Sequence, residues 1–474
     1  MNRHARLTAA LIGVAILLLP LSLRAFNSGS TGADGAFNPF LTNTELQLPP
    51  DGVFNFTSVN IPVGVTVTFK RNTANTPVVL LVQGDVVIDG AIDVNGKPAA
   101  PTGPNASDGG DPTDDGLPGN GGVGGFGGGH AAPVGSSVSP GNGLGPGGGG
   151  GSQGAFLPPS GASHAALGGG ESAGAIYGSP LLTPLVGGSG GGGMASFWWA
   201  FYARQVYGMG GGGGGGAILI AASGSIQING SISADGGGSP GTQIEVWTGG
   251  GGSGGAIRIV ATHVFGRGRV SAVGGALCCG GVAGYGGEGG AGRIRVEGDA
   301  LTAGLSSNPS FSQGLPNEVF VSGLPSLSIT RVGAIPVPSN PTGAGDVTLP
   351  ATTANPMDVA LHTNGVPPGT IIKLTVTPEY GPATSTDSPP TAGTQADAST
   401  TVSVSIPEGR SVLMATTSFI VTAALGERLA PFAQGETLEQ VRLTASPGQP
   451  SRMVLLTASG RELDLPSGAL AQGW

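Results

Sequence analysis

Charge, aromatic rings, lysine and cysteine are all scarce in this chain, and each scarcity excludes something. Charged residues fill 10% of the 474 positions, where an ordinary soluble protein has roughly a quarter. Charge-driven disorder is excluded all the same, because 39% of residues are apolar. The lysines are Lys70, Lys97 and Lys373 and the net charge is −9. No polybasic tract exists, so nucleic acid and anionic membrane surfaces are poor partners. The two cysteines, Cys278 and Cys279, are adjacent; neighbours can close only a strained small ring, so no disulfide staples distant parts of the fold. No second cysteine pair or histidine cluster completes a metal site around them. Strict collagen is excluded because no Gly-x-y period runs through the chain.

Glycine is what the chain has instead. There are 93, and residues 101–300 hold 67 of them. Glycine loses the most entropy on ordering and has no side chain to bury, which argues against a helical or doubly wound enzyme over most of the length. The N-terminus carries Arg3 and Arg6, an apolar run from Leu7 to Leu19, and Ala25 before Phe26. That is the pattern of a secretory signal peptide over residues 1–25, and it predicts a secreted protein at the cell surface, outside the cell or in the periplasm. Cleavage would remove three arginines and move the net charge from −9 to −12. No later apolar run is long enough for a membrane span.

Residues 26–325 form the first part of the mature chain. Alternation of apolar residues from Phe54 to Phe69 has the period of a strand. An internal repeat follows, in which Gly84, Gly90 and Gly96 match Gly224, Gly230 and Gly236. Val86, Ile88 and Ile92 share their phase with Ile226, Ile228 and Ile232, and a third copy spans Thr262 to Gly274. Gly292-Arg293-Ile294-Arg295-Val296 reads as the start of a fourth. Short strands punctuated by glycine every six residues, and recurring after about 38, are what a solenoid of stacked turns requires. Between the first and second copies lies a glycine-rich insertion at about 97–215, whose polyglycine tracts either pack as extended chains or stay mobile. From residue 326 to 474 the composition changes to Val, Thr, Pro and Ser. About seven strands, beginning at Ser326, Met357, Thr370, Thr400, Ser411, Glu439 and Arg452, suggest an immunoglobulin-like β-sandwich.

The repeated Gly-Ala-Ile-x-Ile strands with polyglycine lead-ins, and the stretch from Asp51 to Phe69, resemble secreted bacterial proteins with a right-handed parallel β-helix. The segment Val366 to Pro378 is similar to bacterial immunoglobulin-like modules. These resemblances imply an architecture and carry no catalytic motif. Parallel β-helices include polysaccharide lyases and hydrolases as well as adhesins.

Candidate chemistry is sparse. Gly-x-Ser-x-Gly occurs around Ser152, Ser172, Ser189, Ser239 and Ser253, but a nucleophile elbow needs a strand before the serine and a helix after it, and neither is present at Ser172. Gly96-Lys97 is followed by Pro98, which breaks the phosphate-loop pattern. Asp108, Asp111, Asp114 and Asp115 could take calcium through oxygen ligands, yet their spacing fits neither an EF-hand nor the Gly-Gly-x-Gly-x-Asp repeat; they read as a solvated acidic loop, and no cofactor is expected. Asp85, Asp89 and Asp93 occupy outward phases of one turn; they read as turn formers, since Ser225, Asn229 and Ser233 replace them in the second copy, with a lyase-type cation or acid/base site as the alternative.

Arg258 and Arg295 share one outward phase on successive turns, with Arg267, Arg269 and Arg293 nearby. Such a stripe could grip an acidic polysaccharide; pairing with Glu288, Glu297 or Asp299 is the structural alternative. The run from Phe197 to Tyr207, including Trp198 and Trp199, holds six aromatic residues. It reads as a short helix or hairpin covering the solenoid, with ligand contact as the alternative. The expectation is therefore a non-enzymatic surface or matrix protein of adhesin type, bound to an acidic polysaccharide or a cell-surface protein. A carbohydrate-active enzyme on the β-helix is the leading alternative, and an envelope scaffold for a protein partner is the third.

Overall fold

The computed structural model describes residues 26–103, 115–135, 137–152, 157–200, 203–239, 248–276, 286–301, 304–317, 319, 324–337, 347–350, 352–430, 433, 436–447 and 451–465. The proposed signal peptide, Cys278, Cys279, Asp108, Asp111 and Asp114 lie outside them. Over the described residues the chain is nearly all β, with one helix, Ala423–Leu429.

The N-terminal part pairs its strands in parallel. A nine-stranded and a six-stranded sheet share the chain, which alternates between them: Val53–Ile61 leads to Thr66–Lys70, Ala217–Ile228 to Ser231–Ser233, and Ala256–Phe265 to Arg269–Ser271. The three repeat copies stack in register, with Ile226 between Val86 and Val264, and Ile232 between Ile92 and Val270. Their apolar residues point into one core, where Ile61, Ile88, Ile218, Ile228 and Ile257 are fully buried. Each such side chain contributes about 1.5–3 kcal/mol by leaving water. The corners need glycine because the turn beneath leaves no room. A Cβ on Gly230 would stand 1.7 Å from the Gly90 carbonyl oxygen.

The aspartates of the first copy belong to these corners. Asp85 Oδ1 accepts the Ser225 backbone N–H at 2.7 Å and its hydroxyl at 2.9 Å, and these bonds hold the carboxyl below its ordinary range. Asp89 Oδ1 accepts from Asn229 Nδ2 at 2.8 Å, and Asp93 Oδ1 from the Asn95 N–H at 2.8 Å.

The glycine-rich insertion is ordered chiefly by backbone hydrogen bonds. Along 210–216 the N–H groups rotate among three neighbours. Gly210, Gly213 and Gly216 donate to Ala100, Lys97 and Val94; Gly211 and Gly214 to Gly129 and Phe126; Gly212 and Gly215 to Gly250 and Ser253. A three-residue rotation without internal hydrogen bonds is that of an extended polyproline-II helix, rising about 3.1 Å per residue. Carbonyls of the same segment accept from Gly119 and Gly122, from Gly188 and Gly191, and from Gly237. The segment therefore sits at the centre of six others.

Segments 187–194 and 248–255 are surrounded in the same way. Gly250, Gly251 and Gly252 donate to Gly192, Gly287 and Gly237, and the last segment accepts from Gly212, Ala162 and Gly275. Because 234–239, 248–255, 272–276 and 286–292 are the flanks of the repeat strands, the bundle and the parallel stack are one continuous object. Spacing between segments is so close that a Cβ on Gly211, Gly214 or Gly250 would fall 1.9–2.0 Å from a neighbouring carbonyl oxygen. Of the two states open to the polyglycine tracts on sequence, packed extended chains are the observed one over the described residues.

From Leu324 to Leu465 a second apolar core lies in an antiparallel unit of a five-stranded and a six-stranded sheet. All seven expected segments carry strands. Unexpected are the short strands Thr384–Asp387, Ala392–Thr394 and Glu462–Asp464, and the helix, whose start is capped by Thr422 Oγ1 accepting from the Leu425 N–H. Thr384–Asp387 and Ala392–Thr394 are exposed throughout, so they carry no apolar alternation to read.

Candidate functional site

Three places gather chemically capable side chains: the outer face of the parallel stack, the seam between stack and bundle, and the far end of the bundle.

On the outer face, Arg258 of Ala256–Phe265 lies beside Arg295 of Arg293–Glu297, as their shared phase requires. Two residues further along the same strand, Glu297 points to the same side. Arg258 Nη2 reaches Glu297 Oε2 at 3.0 Å and Arg295 Nε reaches Oε1 at 2.5 Å. Arg258 and Glu297 are 2% and 1% exposed. The remaining acceptors and donors are used locally: Arg258 Nη1 bonds Thr183 Oγ1 at 3.2 Å and the Val319 carbonyl at 3.4 Å, and the Asn317 N–H bonds Glu297 at 3.1 Å. The network holds Leu185 and Val319 over an apolar outer surface of Val53, Val79, Leu81, Leu219 and Val260. Buried charges persist only when paired and hydrogen-bonded, and these are. The five arginines of the expected stripe are therefore divided. Arg267 and Arg269 stand exposed on the corner, Arg258 and Arg295 serve the ion-pair network, and Arg293 turns to the seam.

The seam lies where bundle segments diverge into strands. By the three-residue rule the Gly254 carbonyl should accept from the N–H of residue 165, but Ala165 donates instead to Ala291. His164 supplies the missing donor, its Nδ1 lying 2.8 Å from that carbonyl. The ring stacks on Tyr177 at a centroid distance of 4.7 Å, and the Tyr177 hydroxyl donates to the Gly187 carbonyl at 2.6 Å and accepts from Ser189 Oγ at 3.0 Å. Arg293 Nη2 donates to the Tyr177 carbonyl at 3.1 Å.

Burial dominates the titration here. It pushes His164 down to about 4, with the nearby Arg293 charge adding to the fall against the Gly254 bond. Burial also raises the Tyr177 phenol and lowers the Arg293 guanidinium. With Nδ1–H committed to Gly254, His164 Nε2 is an acceptor, and among the described residues neither it nor Arg293 Nε has a hydrogen-bond partner. Gly178, at φ +78°, borders both atoms.

Serines of the Gly-x-Ser-x-Gly repeats are lattice parts. Ser253 Oγ accepts the Ser189 N–H at 2.8 Å, Ser189 Oγ accepts the Gly147 N–H at 3.0 Å, and Ser239 Oγ accepts the Gly249 N–H at 2.9 Å. Ser152 is buried and its N–H donates to the Gly193 carbonyl at 2.9 Å, and Ser172 is exposed. At Ser253, Ser189 and Ser239 a hydroxyl accepts the N–H that a carbonyl accepts elsewhere in the bundle.

The far end of the bundle carries the aromatic run. It forms a hairpin of Phe197–Trp199 and Arg204–Val206, with Phe201 and Tyr202 outside the described residues. The hairpin does not cover the parallel stack. Segment 207–216 separates its last residue, Val206, from Ala217, and at about 3.1 Å per residue that distance is roughly 34 Å. Trp198 is 60% exposed.

Among the described residues no three of His, Cys, Asp and Glu gather to hold a metal ion. No described helix is long and apolar enough to cross a membrane. No protein-family model, curated protein or solved structure matches the chain.

Proposed function

We propose that this chain is a secreted surface or matrix protein of adhesin type, and that it holds a polysaccharide without turning it over. In this reading the parallel stack is a right-handed β-helix that carries the glycine bundle, and the antiparallel unit is an immunoglobulin-like module. The observation that supports it most is the bundle, with three interior segments each bonded to six neighbours. A scaffold stiffened mainly by its backbone leaves its connecting loops free to vary, and loops on rigid scaffolds are where binding concentrates. Arg258 and Arg295 give less support to an acidic partner than their spacing promised, since both serve Glu297.

The test is to incubate the purified chain from residue 26 onward on a polysaccharide array and to follow turnover of each bound glycan in the same wells. Retention without new chain ends is expected. Release of unsaturated sugars or new reducing ends would make the protein an enzyme, and silence on every glycan would replace the reading with a protein partner.

A further inference from the structure

Every pass of the chain between bundle segments that begins or ends in the parallel stack emerges at the opposite end. Residues 103, 115, 132, 141, 196 and 207 stand at that end. The segments beneath them are tied together. Thr102 donates its N–H to the Gly208 carbonyl at 2.8 Å, and its hydroxyl lies 3.2 Å from Ser196 Oγ. Ser196 Oγ accepts the Gly208 N–H at 2.8 Å, the Ser196 N–H donates to Ala132, and Thr102 pairs with Asp115. These bonds place Asp115, Leu117, Val134 and the start of the aromatic hairpin on adjacent segments of one surface.

The hairpin is braced by Gln205 Nε2, which donates to the Phe197 and Val206 carbonyls at 2.9 and 2.8 Å, and by the buried Val206. It holds Trp198 out from the bundle on a fixed mount. Leu117 and Val134 are exposed on the neighbouring segments. Asp115 is partly exposed; its Oδ1 is buried and has no hydrogen-bond partner among the described residues, so Oδ2 is the oxygen left to face outward.

Charge decides what such a surface can hold. From 115 to 200 the charged residues are Asp115 and Glu171, and from 97 to 215 the basic ones are Lys97 and Arg204. A polyanion would meet a carboxylate and almost no cations. An uncharged sugar meets what it needs: a ring face for its C–H groups and acceptors for its hydroxyls.

We propose that the far end of the glycine bundle binds an uncharged polysaccharide, with one sugar ring stacked on Trp198 and a hydroxyl donating to the Asp115 carboxylate. The inference rests on the adhesin reading and names its ligand and its site.

The test measures retention of the chain from residue 26 onward on neutral glycans (dextran, mannan, a β-glucan, chitin) and acidic ones (alginate, polygalacturonate), each at low and high salt. Trp198→Ala, Asp115→Asn and the near-end control Leu167→Ser are compared after circular dichroism and melting confirm that they fold. Neutral-glycan binding that is insensitive to salt, weakened at least tenfold by Trp198→Ala, weakened severalfold by Asp115→Asn and unchanged by Leu167→Ser is the expected result. Binding confined to acidic glycans and abolished by salt would overturn the inference while leaving the adhesin reading in place, as would neutral binding indifferent to Trp198→Ala. Absence of binding to any glycan would remove both.

Discussion

The parallel stack and the glycine bundle are built from the same stretches of chain, yet they cohere for opposite reasons. In the stack, Ile218, Ile228, Ile257 and their neighbours fill a core, and the free energy comes from side chains leaving water. In the bundle almost no side chain exists to bury. Stability there comes from backbone groups satisfied in three directions at once, against the larger entropy glycine loses on ordering. The stack is therefore sensitive to losing atoms and the bundle to gaining them.

That contrast can be tested from its strongest consequence downward. Ile257→Ala, at a fully buried position of the stack, should cost about 2–5 kcal/mol in urea unfolding. Gly214→Ala adds a single methyl 2.0 Å from the Gly188 carbonyl oxygen, where only backbone could give way. A loss of about 3 kcal/mol is expected, with faster amide exchange at the neighbouring Gly122 and Gly188. If Gly214→Ala were neutral, the bundle would not be close-packed.

The seam between the two regions should respond to acid. His164 titrates near 4 in the fold and near 6.5 when unfolded. The unfolded chain therefore binds the extra proton first. Stability should fall as pH drops from about 6.5 to about 4, by roughly 3 kcal/mol, and level off below. His164→Gln should flatten that part of a stability–pH curve. The smallest effect has the opposite sign. At Gly127, on the outer surface of the bundle, the nearest atoms to a Cβ lie at 3.7 and 3.8 Å. Gly127→Ala should raise the melting temperature slightly, through a gain of about 0.4–1 kcal/mol from restricting the unfolded chain.

The two regions also differ in how openly the sequence declares them. Alternation at Val86, Ile88 and Ile92, repeated at Ile226, Ile228 and Ile232, reveals strands, their phase and their stacking, because side chains that pack must recur at the period of the backbone. The same phase argument set Arg258 beside Arg295. It did not select Glu297 from three possible partners, since that depends on which carboxylate shares the buried outer face. The bundle offers no such signal. Its bonds join residues as far apart as Gly213 and Lys97 or Gly169 and Glu288, and polyglycine has no hydropathy pattern to show which segment meets which. His164, Tyr177 and Arg293 were unreadable as a group for this reason, as was the position of the aromatic hairpin. The serines of the Gly-x-Ser-x-Gly repeats did leave a trace, but its meaning is architectural.

The three-way rotation of the bundle's N–H groups makes its segments count in threes. Removing one residue from 210–216 would swing every later donor by a third of a turn, so that a group facing Gly129 would face Lys97 or Gly250 instead. Removing three would restore each donor to its own neighbour, one step shorter. Changes of length within such a segment are thus graded by divisibility before they are graded by size.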